Sequence, residues 1–356
     1  MNLEAPAADH DRTRRGARAA LGLAGGLADF LLTLAITLFG LLVVTFVIGR
    51  VVPIDPVLAV VGDRASGAVY DRVRAEMGLD LPLIEQFRIY FMKAITGDFG
   101  RSVLTTNPVI EDIRRYFPAT IELATLGTLI GTLIGVPLGV FAAVRSGTLM
   151  DQIVRIVGLV GYSVPIFWLG LMALLLFYAH LGWVGGPGRL DIAYDYLVTP
   201  TTGLLLVDSL MQGQMDVFWN AFSHIILPAA LLGYFSLAYI SRMTRALVLN
   251  ELAQEYVVTA RIKGLSEARV VWRHALRNAA VPLLTVIVLS YATLLEGSVL
   301  TETVFAWPGI GSYITSSLQN ADMNAVLGGT LIVGAAFVTL NLLSDLLYRL
   351  LDPRTR

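Results

Sequence analysis

The chain has 356 residues, of which 56% are hydrophobic and 15% charged, with a mean hydropathy of +0.70. Soluble domains carry about a quarter charged residues, so this composition excludes one and implies an integral membrane protein. The net charge of −1 offers no attraction to nucleic acid, and the absence of cysteine excludes disulfides, thiolate metal sites and cysteine nucleophiles.

Residues 1–28 are polar and rich in small residues, with Arg12, Arg14, Arg15 and Arg18, and read as a disordered cytoplasmic tail. The apolar run 29–49 is about twenty residues long and lies too far from the start to be a cleaved signal, so it predicts a retained first span. Residues 50–118 balance nine basic against nine acidic side chains and predict an extracytoplasmic segment. Within it, Val52-Pro-Ile-Asp-Pro56 predicts a rigid turn, 66–77 and 83–96 predict helices, and Gly97-Asp-Phe-Gly-Arg-Ser102 predicts a break.

A second span is expected over 119–144. It carries Gly127, Gly131, Gly135 and Gly139 at intervals of four, which drift slowly around one helix face and form a packing ridge where a neighbouring backbone can approach. Pro137 is expected to bend it. Arg145 and Arg155 flank a short loop before a third span at 153–180, which contains Ser163-Val-Pro165. Residues 181–220 hold Arg189 alone against Asp191, Asp195, Asp208 and Asp216, with Trp183, Tyr194, Tyr196 and Trp219 as interface anchors. The fourth span, 221–241, enters through His224-Ile-Ile-Leu-Pro228, where His224 reads as a hydrogen-bonded structural residue. Spans five and six are expected at 280–301 and 325–347, joined by an outer segment, Glu302–Asn324, that has no Lys or Arg. A tail, 349–356, ends the chain.

The fold class this predicts is all-α and integral to the membrane, with six transmembrane helices, both termini cytoplasmic, and a core over 119–348. That arrangement puts sixteen of the 26 basic residues inside, as the bias of short loops requires.

Between spans four and five lies the most polar insert of the core, 250–282. Seven Lys/Arg over 242–278, against Glu251, Glu255 and Glu267, place it on the cytoplasmic side. It predicts a helix over Glu251–Lys263 with an apolar ridge of Leu252, Tyr256 and Ala260, a left-handed cap at Gly264, an N-cap at Ser266, and a second helix near 267–277. Such an elbow, with small residues at Ala260 and Gly264, suits tight closure of a partner's surface. An amphipathic loop resting on headgroups fits the same pattern.

The chemistry of an ATPase is missing. A phosphate-binding loop needs Gly-Lys-[Ser/Thr], and the two lysines, Lys93 and Lys263, follow Met92 and Ile262. An ion-coupled secondary transporter of a small polar solute is the rival class, with Glu296, Asp345 and Glu122 as candidate ion-binding carboxylates. A membrane-embedded enzyme lacks a paired acid and base at membrane depth.

The run Glu255-Tyr-Val-Val-Thr-Ala-Arg-Ile-Lys-Gly264-Leu-Ser, followed by Trp272-Arg-His-Ala-Leu-Arg-Asn278 and Pro282, resembles the EAA-type coupling loop of ABC importer permeases, most closely the dipeptide/oligopeptide/nickel branch. Ile262 stands where that branch more often has Ala. Gly78-Leu-Asp-Leu-Pro82 with Gln86, Tyr90 and Gly97–Ser102, the stretch His224–Pro228, and Thr303-Val-Phe-Ala-Trp-Pro-Gly-Ile-Gly311 add to the resemblance, which covers most of 30–356. It implies a permease subunit without catalysis or cofactor of its own. The implied partners are a second homologous permease, two ATPase subunits that bind ATP and Mg, and an extracytoplasmic substrate-binding protein that delivers peptides. Nickel or glutathione are cargoes of close relatives. By the resemblance, Glu255, Tyr256, Ala260, Arg261, Lys263, Gly264 and Leu265 couple the spans to the ATPase, and 50–118 is an external scaffold.

Overall fold

The computed structural model describes residues 28, 30–50, 56–62 and 65–351. Most of the expected tails and of the Val52–Pro56 turn lie outside the described residues. Among those described, every regular element is helical.

Helix α1 (Phe30–Arg50) is followed by α2 (Pro56–Val61), α3 (Gly67–Glu76) and α4 (Leu83–Thr96). The core then runs α5 (Val109–Val144), α6 (Leu149–Ser163), α7 (Ile166–Ala173), α8 (Leu205–Met211), α9 (Met215–Leu252), α10 (Glu255–Ile262), α11 (Glu267–Arg269), α12 (Leu276–Gly297), α13 (Val299–Val304), α14 (Ile310–Gln319) and α15 (Met323–Leu351). Among the described residues, five helices are long and apolar enough to cross a membrane, and six spans result if the bent pair α6–α7 counts as one. The expected third span is therefore not a straight rod: its halves meet at 96° around Ser163–Pro165. Pro165 has no N–H to continue the ladder and forces Val164 into an extended conformation, ψ 129°.

Two helices are longer than the hydropathy pattern predicts. At 1.5 Å per residue, the 38 residues of α9 reach roughly 57 Å, well beyond a hydrocarbon core of about 30 Å. Helix α5 begins at Val109, ten residues before the expected boundary, and keeps Pro118 and Pro137 inside it. Hydropathy marks where lipid stops, whereas a helix continues for as long as neighbouring helices hold it.

The α5–α9 pair makes the most extensive contact in the bundle. Cβ atoms placed on Gly127, Gly131 and Gly139 would lie 2.9 Å from Leu232 Cβ, 2.9 Å from the Leu237 amide and 3.1 Å from the Arg245 amide. One on Gly135 would lie 3.2 Å from the Leu237 carbonyl. All four glycines thus face α9, where Ser236, Ser241 and Thr244 complete a seam of small residues. Helix α12 closes the core against α9, α5 and α15, around Leu123, Ile225, Leu232, Leu294 and Trp307.

Candidate functional site

The elbow is built by α10 and α11. Its turn is a complete Schellman cap: the Gly264 N–H donates to the Arg261 carbonyl at 2.9 Å and the Leu265 N–H to the Ala260 carbonyl at 3.3 Å. Gly264 holds φ +78°, and a Cβ there would meet nothing within 4 Å, so glycine is favoured by backbone conformation and not by space. Val257, Ala260 and Val270 are buried together, with Leu252, Tyr256 and Leu265 packed around them. Arg261 spans the bend, donating to both carboxylate oxygens of Glu267 at 2.8 and 3.1 Å. The Tyr256 hydroxyl donates to Glu251 at 2.7 Å.

Three details differ from the sequence expectation. Glu251 belongs to the end of α9, and the chain turns at Ala253–Gln254 before α10 starts. Ser266 has the extended backbone of an N-cap, but its hydroxyl makes no cap bond; its carbonyl instead accepts the Val270 N–H at 3.0 Å. Ala260 is only 7% exposed and closes the elbow on itself instead of lying open to a partner. The outward face is Glu255, Val258, Ile262 and Lys263, with Val258 51% and Ile262 81% exposed. That apolar pair, four residues apart, went unused in the sequence reading because it is out of phase with Leu252, Tyr256 and Ala260.

The elbow is fused to the bundle. A π-helical stretch, Val270–Ala275, carries α11 into α12 without a loop. Val271 and Ala279 are buried against Val140 and Ala143 of α5 and Val248 of α9. Close by, Arg245 of α9 grips Asp151 in the first turn of α6 at 2.6 and 2.8 Å, tying the start of that helix to the same end. The elbow is therefore packed against or continuous with three long helices at once.

The opposite end is held by buried carboxylates. Glu302 is fully buried and accepts from Thr120 Oγ1 at 2.6 Å, Ser298 Oγ at 2.9 Å and the Ser312 N–H at 2.8 Å. Burial pushes its carboxyl above the usual range, opposed by those hydrogen bonds. Asp322 accepts from the Ser102 hydroxyl and from the Val103 and Leu104 amides at 2.8 and 3.2 Å, pinning the loop after α4 to the start of α15. For Asp208, burial is outweighed by bonds from Thr202, Thr201 and Gly203, and its pKa is lowered. Glu122 pairs with Arg189 and accepts the Leu206 N–H at 2.7 Å. His224 is buried, with Nδ1 2.8 Å from the Asn220 carbonyl and Nε2 3.4 Å from Asp191. The sequence signal for this end, acidic residues without cations in the loops, pointed to topology and not to these bonds.

Of the carboxylates weighed as ion ligands, Glu296 and Asp345 are exposed and Glu122 is neutralised by Arg189. Among the described residues no cluster of His, Asp or Glu could hold a metal.

Long apolar helices around a glycine-packed pair, with a polar elbow packed on the same bundle, define a polytopic membrane protein. Comparison with known proteins gives the family. Residues 135–356 match the binding-protein-dependent transport system inner membrane component, and residues 27–124 match the N-terminal unit of the same membrane components. The chain is 45% identical to the probable D,D-dipeptide transport system permease protein DdpB of Escherichia coli (strain K12), over 90% of this chain and 94% of that one. It is 43% identical to the di/tripeptide transport system permease protein DppB of Pseudomonas aeruginosa (strain UCBPP-PA14), over 90% and 95%. A solved structure of the MetNI methionine ABC transporter in inward facing conformations aligns at TM-score 0.46 with 18% identity, covering 66% of this chain and 93% of that chain. The chain belongs to the binding-protein-dependent transport system inner membrane components: it is a multi-pass permease subunit of an ABC importer in the cell membrane.

Proposed function

We propose that this chain forms half of the translocation pathway of an ATP-driven importer of di- or oligopeptides. In this reading it crosses the membrane six times with both termini and the 250–282 loop in the cytoplasm, and 50–118 on the outside. A second homologous permease completes the pathway, an extracytoplasmic binding protein delivers the peptide, and two ATPase subunits hold and hydrolyse ATP with Mg. This chain contributes no catalytic group. The observation that carries the reading is the elbow itself: a capped, internally packed hinge-free unit with Val258 and Ile262 turned outward, joined without a loop to α12 and packed on α5 and α9. Exposed apolar side chains four apart on a polar loop offer a surface that a partner can bury, and a joint without a flexible loop passes displacement on to the helix it continues into. Glu255, Tyr256, Arg261, Lys263, Gly264 and Leu265 shape or flank that contact, Ala260 sets its internal packing, and Gly127, Gly131, Gly135 and Gly139 hold α5 to α9 while the spans turn. The relatives named above are dipeptide and di/tripeptide permeases, which favours peptide over nickel or glutathione.

The test is purification from the native membrane, identification of bound subunits, and uptake of a labelled dipeptide with and without ATP. Two ATPase subunits and ATP-dependent uptake are the expected result. A chain that purifies alone and moves solute down an ion gradient refutes the reading.

A further inference from the structure

At the elbow's end of the bundle a pair of aromatic rings lies on the surface. Phe141 of α5 and Trp272 of the π-helical stretch meet edge to face with ring centroids 6.3 Å apart, and both are about half exposed, as is Val144. The apolar runs of two long helices stop at this level: 119–144 ends at Arg145, and 280–301 begins three residues after Arg277. The Arg145 N–H donates to the Phe141 carbonyl at 3.1 Å, so this residue lies one turn beyond the ring. Arg269, Arg273 and Arg277 recur every fourth residue, with Arg273 directly after Trp272. The headgroup layer outside the hydrocarbon is about 5–7 Å deep on each side, which a helix crosses in roughly three to five residues. Arg145 and Arg277 therefore fall within it, and the Trp272 ring, seated on Phe141, keeps Arg273 beside them.

This patch stays cationic after the carboxylates around it are counted. The side chains of Arg145, Arg269, Arg273 and Arg277 are exposed and make no hydrogen bond or ion pair among the described residues. The carboxylates described at this end are Asp151, Glu251, Glu255, Glu267 and Asp345. Asp151 is held by Arg245 and Arg155, Glu267 by Arg261, and Glu251 accepts from the Tyr256 hydroxyl. Glu255 and Asp345 remain, the first on the outer face of α10 and the second on α15. Four free guanidiniums thus face two free carboxylates. Exposed rings at the lipid boundary, with cations just beyond them, follow the order of acyl chain and phosphate in a phospholipid.

We propose that this patch binds an anionic phospholipid of the leaflet at the elbow's end, with its acyl chains along Phe141 and Val144 and its phosphate among Arg145, Arg273 and Arg277. A guanidinium fork donates two parallel hydrogen bonds to phosphate oxygens, and the surplus of positive charge selects a net negative headgroup over a zwitterionic one. The lipid would brace the joint between α5 and the start of α12, through residues other than the outward pair Val258 and Ile262.

The test uses the full chain in mixed micelles with phosphatidylglycerol and phosphatidylcholine of identical chains, with retained lipid counted by native mass spectrometry. Phosphatidylglycerol is expected to be retained about fivefold or more over phosphatidylcholine, the contribution of one cation at an anionic surface. Arg145→Gln, Arg273→Gln and Arg277→Gln combined should remove that preference, whereas lysine at the same three positions should keep most of it. Arg72→Gln with Arg88→Gln, at exposed arginines of α3 and α4, should leave it unchanged. A photo-crosslinking residue in place of Trp272 should capture lipid in native membranes. Equal retention of the two lipids by the wild type, or an unchanged preference in the triple Gln variant, overturns the proposal. So does a crosslinker at 272 that captures a protein subunit and no lipid.

Discussion

Gly264→Glu separates two ways in which the elbow could fail. At φ +78° any residue with a Cβ costs about 1–2 kcal/mol, and asparagine less. Against that stand Val257 and Val270, both fully buried, whose burial contributes about 1.5–3 kcal/mol each. Packing wins, and a Cβ at 264 meets no atom within 4 Å, so the elbow stays folded in any of these variants. Gly264→Ala and Gly264→Asn should therefore reach the membrane at normal levels and keep uptake close to wild type, because the strain falls on an elbow whose packing exceeds it and leaves its outer surface unchanged. Gly264→Glu carries the same backbone cost but adds a bulky anion on the exposed turn beside Lys263. It should insert normally and lose ATPase binding and dipeptide uptake by tenfold or more. The assay is labelled dipeptide uptake alongside pull-down of the ATPase subunits. If Ala and Glu lose uptake equally, backbone strain and not surface contact is what matters; if Glu keeps uptake, the coupling surface lies elsewhere.

Ile262→Asp removes an exposed apolar side chain worth about 1.5–3 kcal/mol when buried by a partner, so ATPase pull-down should weaken by roughly 10- to 100-fold while thermal stability of the chain is unchanged. Gly131→Leu drives a side chain into Ser236 and the α9 backbone; overpacking of this kind costs about 1–3 kcal/mol or more, and protease resistance in the membrane should fall. Asp322→Ala removes the acceptor of three donors from 102–104, and hydrogen exchange at Val103 and Leu104 should rise sharply with little change at the elbow. Because the Asp208 pKa is lowered on folding, its contribution is present above the unfolded value of about 3.9 and is lost as pH falls through the folded value. Exchange at Thr201, Thr202 and Gly203 should therefore be slow at neutral pH and accelerate, relative to Asp208→Asn, only in acid.

Much of this protein is written locally. Apolar runs locate α1, α5, α9, α12 and α15, because removing backbone from water demands helices wherever about twenty apolar residues follow one another. Gly264 between two helix-forming stretches places the elbow, because a left-handed cap is a property of a few consecutive residues. Even the glycine spacing of α5 is a local fact that implies close approach. Other features depend on what meets what. Nothing in the sequence pairs Thr120 with Glu302, 182 positions away, or Ser102 with Asp322, 220 away. Hydropathy ended α9 at the lipid boundary, while packing against α5 and the elbow carries it on to Leu252. Ala260 and Val258 are both small or apolar residues on one short helix, yet one is buried and the other exposed, because only the fold of α11 back onto α10 decides which face is inside. Composition and short-range pattern determined that this chain is a helical membrane protein with a polar elbow between two of its long apolar helices. Tertiary structure decided which carboxylates lock its far end and how the elbow packs on its long helices, since each depends on contacts between residues the chain keeps far apart.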